Sequence, residues 1–195
     1  MRKYIFLLLV PFILLSCLGD NGDDTDVTFG IPNPPSPNCQ YCIPPGALFV
    51  CEEIEEALNL INQIREEVGV SPLEWDCQLA EAAQRWAEYL AENGLFEHEQ
   101  TSPYGENIFI AYGFVPTLVD TIEYWYKEKN NFDPTDPNWC DKLNEVGHYT
   151  QLVWRNTTKI GCGMAKYQKK YQGVFEYVIV CKFDPPGNIC DEMPY

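Results

Sequence analysis

Basic residues are scarce in this chain: 13 lysines and arginines stand against 29 aspartates and glutamates, a formal net charge of −16. Phosphate backbones are gripped by Lys and Arg, so this balance argues against nucleic-acid binding. It argues equally against electrostatic docking on anionic lipid. Histidine is scarcer still, with only His98 and His148 in 195 residues. Any imidazole chemistry must use one or both of them. The patterns HExxH and GxSxG are missing, and with them the commonest zinc-protease and serine-hydrolase signatures. Cys39-Gln40-Tyr41-Cys42 has no second CxxC to complete a zinc ribbon. Structural bridges back to the rest of the chain are the expectation for those two cysteines. No internal repeat is present. The one long apolar run, residues 4–15, is about half the ~20 residues a spanning helix needs.

What is there begins with an address. Arg2 and Lys3 precede that apolar run, and Leu14-Leu15-Ser16-Cys17 follows it. The tetrapeptide resembles a bacterial lipobox, which implies a lipoprotein signal peptide over residues 1–16 and lipidation of Cys17. The alternative is an ordinary secretory signal cut nearby. Nine cysteines point to an oxidising compartment. Setting Cys17 aside leaves an even set of eight, which can pair completely. Residues 17–47 hold clustered aspartates and then prolines, the composition of an extended tether. The globular domain is expected over residues 48–195, outside the cytoplasm and fastened to the cell surface or outer membrane only through the lipid.

The domain opens with two helical patterns. Ile54, Leu58, Ile61, Ile64 and Val68 recur at helical spacing behind Glu52, Glu53, Glu55 and Glu56, with Gly69 as a stop. Asp76 is an N-cap candidate for a second helix whose stripe is Leu79, Ala83, Trp86 and Leu90, ended at Asn93-Gly94. Thr117 and Asp120 form a capping-box pair before Leu118, Ile122 and Trp125. Residues 130–143 read as a long loop. Residues 160–167 and 174–183 read as the strands of a hairpin turning at residues 169–173. Gly147-His148-Tyr149-Thr150-Gln151-Leu152-Val153-Trp154 shows no cleanly polar face in strict alternation and reads as a strand or strand-like turn packed on both sides.

That last stretch, with Arg155-Asn156-Thr157-Thr158 behind it, resembles the first signature of the CAP superfamily. The superfamily takes in cysteine-rich secretory proteins, insect-venom antigen 5 and plant pathogenesis-related class 1 proteins. Leu58, Asn62, Arg65, Gly69, Pro72-Leu73, Trp75-Asp76, Leu79-Ala80 and Trp86-Ala87 follow its N-terminal pattern. Gly105-Glu106-Asn107-Ile108 and Trp125-x-x-Glu128 resemble two further motifs, and Cys181-Lys182-Phe183-Asp184-Pro185-Pro186-Gly187-Asn188 its second signature. Ile61 stands where the family often has His, and Lys182-Phe183 where it usually has Asn-Tyr. The resemblance spans about residues 50–190. It implies an α+β fold, a three-layer α-β-α sandwich, and a disulfide between Cys162 and Cys181.

It also implies a central cavity lined by His98, Glu106, Glu128 and His148. Two neutral imidazoles can hold a divalent ion such as Zn²⁺, with the carboxylates orienting them. Two classes of function then stand side by side. One is a binding and signalling module, not an enzyme, with a protein or lipid partner. The other is a metal-assisted hydrolase with Glu106 or Glu128 as general base. Sterol or fatty-acid binding, associated with the family, is a third. Ser102 is the one serine close in sequence to a tetrad residue, and nothing in the sequence activates it.

Overall fold

A computed structural model describes residues 39–168 and 176–195. Cys17 and the signal sequence, the tether up to residue 38 and the hairpin turn at 169–173 lie outside them. Helices α1 (Cys51–Glu67), α2 (Cys77–Asn93), α3 (Leu118–Tyr126) and α4 (Leu143–Leu152) combine with strands β1 (Glu74–Trp75), β2 (Gly105–Tyr112), β3 (Lys159–Lys166) and β4 (Glu176–Asp184). The sheet order is β1-β3-β4-β2, antiparallel except for the short β1–β3 pair.

Local signals set the first three helices. Asp76 accepts from the backbone N–H groups of Gln78 and Leu79, and Gly94 ends α2 in the left-handed region at φ 66°. Thr117 and Asp120 close a reciprocal capping box on α3. Gly69 follows α1 at φ 74°, where a side chain would be strained.

Helix α2 covers one face of the sheet. Period-two alternation sends Val178 and Val180 of β4, and Ile108 of β2, into its Ala83, Ala87 and Leu90. On β3 the same face carries Gly161 and Gly163. A Cβ at Gly161 would strike the Ala80 backbone, and one at Gly163 the Gln84 backbone. The glycines therefore let the helix lie against the strand. The opposite face meets α1, α3 and α4: Ile54, Ile61, Ile64, Ile122, Trp125, Tyr149 and Leu152 pack on Ile160, Met164, Ile179 and Phe183. The result is the α-β-α sandwich. Cys162 and Cys181 face each other across β3 and β4 and are bridged on this side.

Two expectations change. The stretch that begins at Gly147 is not a strand: residues 147–152 form the second half of α4. Val146, Tyr149, Thr150, Leu152 and Val153 are buried, and the helical spacing shows only when the pattern starts upstream of Gly147. The loop after α3 contains two 3₁₀ turns, Lys127–Asn131 and Trp139–Lys142. Trp139, buried there, packs with Val146 and Trp154 in a small separate cluster.

Arg65, fully buried, joins α1 to the end of α4. Its guanidinium donates to the carbonyls of Leu152, Trp154 and Thr157, and its Nε to Ser71. Desolvation lowers its pKa to about 10, which leaves it charged at neutral pH. The Leu152 carbonyl at the end of α4 lacks a helical partner, and the arginine supplies its donor while also bonding the carbonyls that follow.

Disulfides Cys39–Cys51 and Cys42–Cys77 fasten residues 39–50 to α1 and α2, and Cys140–Cys190 ties the loop after α3 to the C-terminal segment. Ala47 and Phe49 are buried, and Trp75 Nε1 donates to the Cys42 carbonyl. The covalently fastened part of the chain thus starts by Cys39, inside the stretch whose composition reads as tether. Among the described residues no helix is long and apolar enough to cross a membrane.

Candidate functional site

The four tetrad residues fall into two His–Glu pairs. His98, in the loop after α2, has Nδ1 2.5 Å from Glu106 Oε1. His148, on α4, has Nδ1 2.6 Å from Glu128 Oε1. A carboxylate only accepts, so each Nδ1 carries the proton and donates. In a neutral ring this bond selects the Nδ1–H tautomer, whose Nε2 carries the lone pair.

The carboxylates are held in turn. Glu128 Oε2 accepts from the backbone N–H groups of His148 at 2.9 Å and Tyr149 at 3.1 Å. Glu106 Oε1 also accepts from the Glu99 backbone at 3.2 Å, while Oε2 takes the Lys182 ammonium at 2.6 Å. Burial pushes the Glu106 carboxyl up, but bonds and charges from His98 and Lys182 outweigh it and keep it below the ordinary carboxylate value. Lys182 itself is fully buried. It reaches Glu99 Oε2 at 2.6 Å and Ser102 Oγ at 3.2 Å. Ser102 is therefore an acceptor for a cation.

The His148 pair is clamped from two more sides. Its ring stacks on Trp125, with centroids 5.6 Å apart and planes within 10°. Its carbonyl accepts from Asn107 Nδ2 at 3.1 Å. The loop at Pro185-Pro186-Gly187-Asn188 supports the helix beneath. Asn188 accepts from Thr150 Oγ1 and donates to the Gly147 carbonyl, with Asn188 in the left-handed region at φ 59°.

Glu106 and Ile108 of β2 point to the α2 face, while Asn107 and Phe109 point to the α1, α3 and α4 face. The two pairs thus approach β2 from opposite faces. His98 and His148 nevertheless line one open cavity of about 780 Å³ that runs along β2.

A family model for the cysteine-rich secretory protein family, CAP, matches residues 58–183. The chain belongs to the CAP family. It is 40% identical to pathogenesis-related protein 1A of Nicotiana tabacum over 141 residues, 72% of this chain and 80% of that protein. It is 37% identical to pathogenesis-related protein 1 of Arabidopsis thaliana over 154 residues, 77% of this chain and 89% of that one. Among solved structures it resembles BmVAL-1, with a TM-score of 0.63 at 23% identity, covering 79% of this chain and 86% of the other. It also resembles a crystal structure of NaASP2 with Zn²⁺, with a TM-score of 0.61 at 24% identity, covering 79% and 89%. At such identities these two likenesses speak to the fold.

The CAP domain's donor set decides what kind of ion could sit here. Both carboxylates are spent on imidazoles, backbone and lysine. Among the described residues no group of three or more His, Cys, Asp and Glu side chains is arranged to hold a metal. Two imidazole Nε2 atoms remain, fewer than the three protein ligands of a catalytic zinc site or the four of a structural one. Sequence reasoning missed Lys182 and Glu99. Lys182 had been visible only as a departure from a motif; a lysine inside a β-strand pattern on its helix-covered face was the signal that could have marked it.

Proposed function

We propose that this CAP domain is an extracytoplasmic binding and signalling module, held at the membrane through a lipid on Cys17, whose cavity binds its ligand beside two preset imidazoles. The observation that carries the reading is that both tetrad carboxylates are held in place by three hydrogen bonds each. Glu128 makes three hydrogen bonds and Glu106 is bonded to His98, Glu99 and Lys182. A general base needs a free acceptor site and room for water beside it, and three of the roughly four acceptor sites on each tetrad carboxylate are already taken. The metal-assisted hydrolase is for that reason the second reading. Four disulfides support an oxidising compartment.

A divalent ion such as Zn²⁺ would be held by His98 and His148, and when bound it would act as a Lewis acid toward a carbonyl or carboxylate of the ligand. The chain's own residues set up that site. Glu106 and Glu128 fix the imidazole tautomers, Trp125 holds the His148 ring plane, and Asn107 anchors its backbone.

Calorimetry with Zn²⁺ tests the site at about pH 7.5 and about pH 5.5, because protons compete for the imidazole lone pair. Binding should weaken at the lower pH, vanish in His148→Ala and fall about 10–100-fold in Glu106→Gln. Equal heats from wild type and His148→Ala would remove the metal from the reading. Turnover of peptide or ester substrates lost in Glu128→Gln, with metal still bound, would favour the hydrolase. Cys17→Ser should move the protein out of the membrane fraction; unchanged mass and partitioning would refute the anchor.

A further inference from the structure

The floor of the cavity is an open sheet edge. Strand β2 is last in the order β1-β3-β4-β2, and its backbone pairs with β4 along Gly105–Tyr112. Among the described residues, Phe109, Ile110 and Ala111 make no other backbone hydrogen bond. In an antiparallel pair every second residue turns its N–H and C=O away from the partner. The cavity therefore shows backbone donors and acceptors along its floor, between walls that are largely aromatic. Phe96 stands on one side and Tyr124 on the other, with Phe114 beyond the end of the strand. All three are about half exposed. Natural edge strands are blunted by charge, proline or a bulge, and Phe109-Ile110-Ala111 carries none of these.

We propose that the cavity takes an extended peptide, which adds to β2 as a further strand and runs past His98 and His148. The floor selects this occupant. An alkyl chain or sterol lying there would bury edge N–H and C=O groups without partners. A peptide strand satisfies them with its own backbone. Its side chains alternate between the two faces, so one set meets Phe96 on the α2 side and the other meets Tyr124 on the opposite side. Glu97 also lines the cavity, and the chain carries a net charge of −16. The peptide is accordingly apolar at alternate positions, and neutral or basic between them. This deepens the binding-module reading and rests on it, but it needs no metal.

The test uses the full chain in EDTA and an array of capped, fluorescent peptides of about eight residues, alternating Val, Leu, Phe or Tyr with Thr or Lys. The tightest binder is then remade with N-methyl groups on its odd residues or on its even residues. One pattern blocks the edge facing β2, and the other blocks the edge facing solvent. Binding should fall at least about tenfold for one pattern and stay within about twofold for the other. Phe114→Ala and Tyr124→Ala should each weaken the unmodified peptide severalfold. Amide exchange at Ile110, whose N–H faces away from β4, should slow only when a binding peptide is present. Equal affinity for both N-methyl patterns would overturn strand addition, as would an array with no binder below about 1 mM. If the array fails while Zn²⁺ or oleate still binds at the cavity, strand addition falls and the binding-module reading stands. If none of them binds, both fall.

Discussion

Replacing Lys182 by methionine is the sharpest test of how the His98 side of the site is built. The ammonium is fully buried and bonds two carboxylates at 2.6 Å. Methionine keeps the length of the side chain but removes the charge. Glu99 is 33% exposed and can turn to water, whereas Glu106 is 6% exposed and cannot. Glu106 is left as a buried carboxylate supported by His98 and one backbone N–H. Breaking a buried pair in this way costs about 3–5 kcal/mol, a large share of the roughly 5–15 kcal/mol that holds a domain together. Urea unfolding near pH 7 reads the loss as a lower midpoint at unchanged slope.

The pH dependence follows from Glu106. In the wild type its folded pKa is depressed, so its stabilisation is present above the unfolded carboxylate value and lost as pH falls through the folded one. Without Lys182, its hydrogen bond and charge no longer offset the burial that raises the pKa, and the folded value moves up. The stabilisation that the ionised carboxylate contributes above its unfolded value is reduced accordingly. The deficit of Lys182→Met should thus be largest near neutrality and shrink toward about pH 4. Adding Glu106→Gln should recover part of the loss, since a buried neutral pair leaves no uncompensated charge. Strictly additive losses in the double variant, or a deficit that does not change with pH, would refute the ion-pair account.

Further outcomes follow from other contacts. Arg65→Met should cost at least about 3 kcal/mol, because three buried carbonyls each lose a charged donor; a thermal midpoint within a degree or two of wild type would contradict that accounting. Thr117→Ala should cost about 1 kcal/mol by opening the capping box on α3, read by urea unfolding. Gly161→Ala should destabilise more than either an exposed glycine change or the cap, since its Cβ would meet the Ala80 backbone. Circular dichroism melts of Gly161→Ala beside wild type and Gly147→Ala, where the new Cβ would meet only ordinary contacts, would show whether α2 must sit that close.

Much of this protein is legible in the chain. Asp76, Gly94 and the Thr117–Asp120 box mark helix ends because capping involves neighbours within a few residues. The hairpin strands carry their own pattern, and the signature motifs name two histidines and two glutamates that the structure sets in two His–Glu pairs, with both histidines on the wall of one cavity. Tertiary structure decided the rest. The stretch after Gly147 is helical because Tyr149 and Leu152 find the α1, α3 and sheet core, while Arg65, far back in the chain, supplies donors at the helix end. Lys182 is an ion-pair centre only because β4 lies beside β2 in a register that sets it opposite Glu106. The open edge of β2 exists only because the strand order leaves it last. Caps and periodicity act over one or two turns of chain, so a sequence can declare them; a strand's neighbours and a buried charge's partners are fixed by which distant segments meet, and that is settled by folding.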